Sequence, residues 1–224
     1  MIFTIENLLT AEQLSSIHDR LNIKDFIDGK KTAGWHAKTV KENTQLAPEA
    51  NYSQEIKQSI RKALLKNPLF QAATQPKAIH SMLISRYEAG MSYGKHVDNA
   101  IMGRGEKCYR SDISLTIFLS DPNSYEGGEL AIENFETQSE YKPTAGAAIV
   151  YPSNKLHEVK SVTKGIRLVA VAWVHSFVRD PQKREILFDI DTIKRSIFNK
   201  EGNSIEFNLL SKTHSNLLRE WSEL

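Results

Sequence analysis

Three short stretches hold the residues with the most chemical potential. Tyr93-Gly-Lys-His96-Val-Asp98-Asn99 contains His-x-Asp. On an extended segment residues two apart point to one side, so an imidazole nitrogen and a carboxylate oxygen can reach one metal ion. Alone, such a pair is weak, because seven histidines and nine aspartates give about 0.3 of them by chance. His157, in Tyr151-Pro-Ser-Asn-Lys-Leu-His157, supplies a third ligand type, and Arg167, in Gly165-Ile-Arg167, a carboxylate clamp. Two histidines and one carboxylate on a face of an octahedron leave three adjacent positions open, as in non-haem iron(II) oxygenases. Two of these suit a chelating 2-oxo acid and the third admits dioxygen. The planar fork of Arg167 suits the distal carboxylate of a five-carbon diacid better than lysine's point charge. A hairpin turning at Thr163-Lys-Gly165 would pair Ser161 with Arg167 and His157 with Val171, placing His157 and Arg167 on one face.

Other candidates read more plainly. Cys108 is the only cysteine, which excludes an intrachain disulfide and thiolate metal sites, and no activating base stands near it in sequence. His18, His36, His80, His175 and His214 lack a paired ligand at useful spacing; His175 is the nearest competitor, being on the strand of Arg167. Asn51-Tyr-Ser53 is an accidental sequon, and Gly127-Gly128 reads as a turn and bulge, since no lysine or helix start follows.

The elements that must position these residues change character along the chain. Thr10-Ala-Glu-Gln13 has the spacing of a capping box, and Leu14, Ile17, His18 and Leu21 predict an amphipathic helix from about Ala11 to Leu21. An irregular stretch runs from Asn22 to Ala50. A second helix, opening at Asn51 or Ser53 and carrying Ile56, Ile60 and Leu64, ends near Asn67-Pro68. From Pro76 the period shortens, predicting strands at Ala78 to Tyr87, Asp112 to Leu119, Glu129 to Glu133, Ala147 to Tyr151, Leu156 to Val162 and Ile166 to Phe177. Short strands with no helices between them favour an antiparallel barrel or jelly roll. The polar, glycine-containing stretch from Asn99 to Tyr109 reads as a lid. Asp180 and Pro181 then start a helix with an apolar stripe at Ile186, Leu187, Ile190, Ile193 and Ile197, and a second helical run spans Ile205 to Trp221.

The expected architecture is α+β with a mainly β core: residues 1–178 form N-terminal helices plus jelly roll, and residues 179–224 a helical hairpin covering one sheet, with homo-oligomerisation through its apolar faces an open alternative. A chain of 224 residues, 40% hydrophobic and 25% charged, supports one sizeable core. Twenty-nine basic against 27 acidic residues, mixed along the chain, leave a net charge of +2 and no stripe for nucleic acid. No signal-like leader or membrane-span-length apolar run is read, and the expected location is cytoplasmic.

Taken together, Ser85-Arg-Tyr87-Glu-Ala-Gly90, His96-Val-Asp-Asn99, Asp112 to Ser120, Tyr125-Glu-Gly-Gly-Glu-Leu130, Pro143-Thr-Ala-Gly146 running into Val150-Tyr-Pro-Ser153, His157 to Arg167, and Leu187-Phe-Asp-Ile-Asp191 resemble the prolyl-4-hydroxylase-like branch of the 2-oxoglutarate dioxygenases, and within it the bacterial PKHD-type hydroxylases. The resemblance runs from about Ala78 to Ile193. It implies a double-stranded β-helix in which His96, Asp98 and His157 bind Fe(II), and Arg167 and Tyr87 hold 2-oxoglutarate. It further implies O2 as oxidant, L-ascorbate as auxiliary reductant, and a link to bacterial iron homeostasis. The implied reaction hydroxylates an unactivated C–H bond of a prolyl, other peptidyl or small-molecule substrate, with 2-oxoglutarate decarboxylated to succinate and CO2 and no acid–base pair beyond the metal centre. Where many animal relatives carry a second co-substrate tyrosine, this chain has Phe118. Nucleic-acid demethylases of the same chemistry carry a second arginine six residues after the first; here Trp173 stands in that place. The alternative from another class is a non-catalytic sensor of iron or 2-oxoglutarate, told apart by the absence of succinate release.

Overall fold

A computed structural model describes the chain except Glu106, Phe135, Glu136 and the side chains of Arg104 and Lys107. In chain order its strands are β1 (Phe3–Ile5), β2 (Phe26–Asp28), β3 (Lys41–Glu42), β4 (Thr44–Leu46), β5 (Pro76–Tyr87), β6 (Ser92–His96), β7 (Ile101–Arg104), β8 (Lys107–Arg110), β9 (Ile113–Phe118), β10 (Tyr125–Gly127), β11 (Leu130–Glu133), β12 (Gln138–Tyr141), β13 (Ala148–Pro152), β14 (His157–Val159), β15 (Val162–Gly165) and β16 (Arg167–Ser176). The helices are α1 (Ala11–Arg20), α2 (Ser53–Lys66), α3 (Pro68–Thr74), α4 (Pro181–Glu201) and α5 (Ile205–Trp221).

Two antiparallel sheets face each other, as in a jelly roll. The larger has the order β1-β13-β9-β16-β5-β4-β2 and the smaller β12-β11-β14-β6-β3. Alternation explains how one sheet serves two surfaces. On β16, Leu168, Ala170, Ala172 and Val174 join the core beneath the helices, whereas Val169 and Val171 belong to the packing between the sheets. Helix α2 covers the outer surface because Ile56, Ile60 and Leu64 recur every four residues and are buried. Helix α1 begins with the capping box: the Gln13 amide donates to Thr10 Oγ1 (3.3 Å), and the Thr10 amide to Gln13 Oε1 (2.9 Å). His18 has a structural role, its Nε2 lying 2.7 Å from the Leu119 carbonyl.

The expected strands all form, with ends shifted by a few residues, except that Leu156 to Val162 divides into β14 and β15. The expected hairpin between His157 and Arg167 does not form. Residues of β15 pair with β10, and β16 pairs with β5 and β9 in the other sheet. The chain crosses between sheets here, so His157 and Arg167 meet across the interior instead of along one hairpin face. The stretch read as a lid is a two-stranded ribbon, β7 with β8, with Asn99, Ile101 and Met102 on the wall of the central cavity; Glu106 of that stretch lies outside the described residues. The two C-terminal helices pack on each other as the expected hairpin, and its first helix, α4, also packs against α3. Buried Arg184 anchors it by donating to the Val178 (2.7 Å) and Arg179 (2.8 Å) carbonyls. Among the described residues, no helix is long and apolar enough to cross a membrane.

Candidate metal centre and anion pocket

Between the sheets lies a cavity of about 510 Å³, within the ~300–1,000 Å³ usual for small-molecule sites. Adjacent strands of the smaller sheet bring two histidines to its wall: in the β6–β14 register His96 stands directly opposite His157. Asp98 follows two residues beyond the end of β6. One donor atom from each of His96, Asp98 and His157 lies within 4.8 Å of the other two, close enough for a single ion. His157 Nε2 is 3.9 Å from Asp98 Oδ2.

Each of the three is oriented by a neighbour. The Nδ1 atoms of His96 and His157 lie 2.8 Å and 3.0 Å from the Gly94 and Lys155 carbonyls. Those carbonyls can only accept, so Nδ1 carries the proton and Nε2 keeps its lone pair for the cavity. Ser114, inward-facing on β9, donates to Asp98 Oδ2 (2.6 Å) and contacts Ser153 Oγ at 2.8 Å. Tyr93 stacks on His96 with ring centroids 3.6 Å apart. Burial, and then the neighbouring His157, push His96 down to about 4, keeping it neutral and available to a metal at ordinary pH.

Arg167 forms the other pole of the cavity. It is 1% exposed, yet none of its three guanidinium nitrogens makes a well-formed hydrogen bond among the described residues, the Tyr125 hydroxyl lying just beside them. Its guanidinium carbon lies 5.0 Å from the Tyr87 ring centroid and 5.4 Å from that of Phe118. Phe118 thus presents a face to the cation where a tyrosine would offer a hydroxyl. Tyr125 and Tyr151 also surround Arg167, and burial works against its charge. A buried cation without a counter-charge costs several kcal/mol, so the site is built to receive an anion. Glycine makes the space: a Cβ on Gly128, whose φ is +68°, would lie 2.9 Å from Arg167 Cδ.

Every site residue predicted from sequence, His96, Asp98, His157, Arg167 and Tyr87, lines this one cavity. Trp173 lines it too, while His18, His36, His80, His175 and His214 do not. His80 and His175 instead flank Tyr109, and Cys108 is exposed. Sequence reading passed over Ser114, Tyr93, Tyr151 and three polar residues from the irregular N-terminal stretch, Lys41, Asn43 and Gln45, which are buried on the cavity wall. No spacing pointed to them: Lys41-Glu-Asn-Thr-Gln45 is an unbroken polar run, which ordinarily reads as a solvated segment.

Residues 82–175 match the 2OG-Fe(II) oxygenase superfamily. The PKHD-type hydroxylase AM1_3707 of Acaryochloris marina is 55% identical over 223 residues, covering 100% of both chains. The chain belongs to the PKHD-type hydroxylases. A second member, from Crocosphaera subtropica, is 54% identical over the same span and the same 100% coverage. Membership makes the protein an oxidoreductase, a dioxygenase of the class that uses Fe(II), 2-oxoglutarate and O2. Solved structures share the fold at low identity. A Pseudomonas putida prolyl-4-hydroxylase superimposes with a TM-score of 0.53 at 18% identity, covering 78% of this chain and 92% of that one. A prolyl hydroxylase from Trichoplax adhaerens gives 0.57 at 15% identity, covering 83% and 86%.

The pocket fits what a PKHD-type hydroxylase requires. Two neutral imidazoles and a carboxylate are a suitable donor set for ferrous iron, and the orphaned guanidinium offers paired donors to a carboxylate.

Proposed function

We propose that the protein hydroxylates an unactivated C–H bond, with His96, Asp98 and His157 holding Fe(II), and Arg167 and Tyr87 holding 2-oxoglutarate. The observation that carries this reading is the pairing, in one cavity, of three donor atoms within 4.8 Å of one another with a fully buried, unpartnered arginine. When bound, iron with 2-oxoglutarate and O2 supplies the oxidising chemistry, with 2-oxoglutarate decarboxylated to succinate and CO2. The chain positions and shields. Arg167 takes the distal carboxylate, the Tyr87 and Phe118 rings lie against its guanidinium, and the backbone carbonyls behind His96 and His157 keep both imidazoles aimed inward. Ser114 neutralises part of the Asp98 charge through its hydroxyl proton, fixing which oxygen faces the ion. The apolar packing of Leu130, Ile149 and Val169 between the sheets keeps bulk water from this wall.

The Trichoplax neighbour was solved with a hypoxia-inducible-factor peptide fragment, which supports a prolyl or other peptidyl substrate as one form of this reading, beside a small molecule. Ascorbate as auxiliary reductant and a part in iron homeostasis belong to the same proposal and rest on family resemblance.

The test is anaerobic addition of Fe(II) and 2-oxoglutarate to purified protein, monitored for the visible metal-to-ligand charge-transfer band. The expected result is a band in wild type, lost in His157→Ala and weakened about a hundredfold in 2-oxoglutarate affinity in Arg167→Ala. A wild-type protein without the band overturns the proposal. A band without succinate release in air would instead identify a sensor.

A further inference from the structure

The cavity carries more polar chemistry than iron and 2-oxoglutarate use. Lys41, Asn43 and Gln45 stand two apart on β3, β4 and the residue between them, so they share a face, and that face is the cavity wall. They are 4%, 5% and 3% exposed. Gln45 is satisfied: its Nε2 donates to Ser85 Oγ at 3.2 Å, and its Oε1 accepts from Thr32 Oγ1 at 2.6 Å. Thr32 Oγ1, its proton so used, accepts from Lys41 Nζ at 3.0 Å. That leaves Lys41 with two N–H groups to place. The ammonium lies 5.1 Å from the Tyr93 ring centroid, on the His96 side of the cavity, and Asp98 and Asp28, the carboxylates that attract it, make no direct ion pair with it.

Asn43 is emptier still: neither Nδ2 nor Oδ1 makes a well-formed hydrogen bond among the described residues, and the Tyr87 hydroxyl is the polar group beside it. It occupies a slot made for it, because a Cβ on Gly29 would lie 1.9 Å from Asn43 Oδ1. Burying an unpaired amide costs about 1–3 kcal/mol and a buried ammonium more, so both groups are arranged for partners that come with a ligand. Arg167, near the rings of Tyr87 and Phe118, is a separate cation with its own neighbours. One diacid co-substrate does not account for two.

The geometry points to a carboxylate on the primary substrate, held by Lys41 and Asn43 while Arg167 holds 2-oxoglutarate. One carboxylate oxygen accepts from Lys41 and the other from Asn43 Nδ2, while Asn43 Oδ1 stays packed against Gly29. The hydroxylated carbon then belongs to a small carboxylic acid, or to the C-terminal residue of a peptide, and not to the interior of a protein chain. This rests on the dioxygenase reading above.

The experiment loads the whole protein with Mn(II) in place of iron, adds saturating 2-oxoglutarate, and follows paramagnetic broadening of probe protons. The probes are butyrate and butyramide, and trialanine with a free or an amidated C-terminus. In wild type the acids should bind at least tenfold more tightly than their amides. Lys41→Met and the isosteric Asn43→Asp should each weaken the acids about tenfold or more, leave the amides unchanged, and keep 2-oxoglutarate. Discrimination on butyrate alone identifies a small acid; discrimination on trialanine identifies a peptide C-terminus. Equal binding of acids and amides, no binding of any probe, or variants that bind acids as wild type does overturn the carboxylate site. So does loss of 2-oxoglutarate from Lys41→Met, which would assign the lysine to the co-substrate. Failure of the wild type to take up Mn(II) and 2-oxoglutarate sinks the dioxygenase reading itself, and this inference with it.

Discussion

Lys41 and Asp98 face the same cavity with opposite electrostatic requirements. Burial pushes Lys41 down to about 8, against the attraction of Asp98 and Asp28. An unfolded lysine titrates near 10.4. Between these values the unfolded chain binds the proton that the folded chain has released, so stability rises with pH across this window and is level below it. In metal-free protein the rise from pH 8 to 10 should be on the order of 3 kcal/mol at most and absent from Lys41→Met, read from urea midpoints of the two proteins. A matching rise in both would place the titration elsewhere. Asp98 depends on Ser114, whose hydroxyl donates to Oδ2 at 2.6 Å. Ser114→Ala should cut metal affinity about 10–100-fold in competition with a chelator, with little change in apo stability.

Among elements, the turn between β10 and β11 matters most to the site. Gly127 and Gly128 have φ of +71° and +68°, and the β10–β15 register shifts between Glu126 and Gly127, as the expected turn and bulge requires. A Cβ on Gly128 would meet Arg167 Cδ and Val162 Cγ2, both at 2.9 Å. Gly128→Ala should cost about 1–3 kcal/mol through its left-handed backbone and displace the guanidinium. The two effects separate by measurement: a lower urea midpoint reports the strain, and weaker 2-oxoglutarate binding at a pH and temperature where the variant is folded reports the displacement. Unchanged co-substrate affinity would show that the guanidinium keeps its place. The C-terminal helices are tied to this frame from outside. Glu223 pairs with Arg110 at 2.6 Å, and its amide donates to the Phe177 carbonyl at 2.8 Å.

For the whole molecule, the unpaired guanidinium and the converging ligands mean that the ligand-free fold carries an electrostatic cost that binding relieves. Ligand held at about a hundred times its dissociation constant adds about 2.7 kcal/mol by mass action. For a chain of this size that is a rise of roughly 5–10 °C in thermal midpoint. Adding Fe(II) and 2-oxoglutarate anaerobically should produce it in wild type and not in His157→Ala, and a chelator should reverse it. An equal rise in the variant would mean that the ion binds elsewhere.

Residue chemistry and local period are properties a linear sequence carries. They sufficed to pick out His96, Asp98, His157, Arg167 and Tyr87, which the fold does gather, and to expect a β core between helical ends. Helices α1, α2, α4 and α5 were legible for the same reason: their caps and apolar stripes lie within a few turns of one another. Pairing between distant strands is not local, and everything that depended on it waited for the tertiary structure. The chain from His157 to Arg167 changes sheets because β15 finds β10, a partner some 40 residues earlier, where spacing alone suggested a hairpin. Phe118 comes to lie over the guanidinium through the register of β9 against β16, and Lys41 and Asn43 turn inward because β3 and β4 join opposite sheets across the cavity. The side of a strand that is wet is decided by what packs against it, and for this stretch the neighbours are distant in sequence.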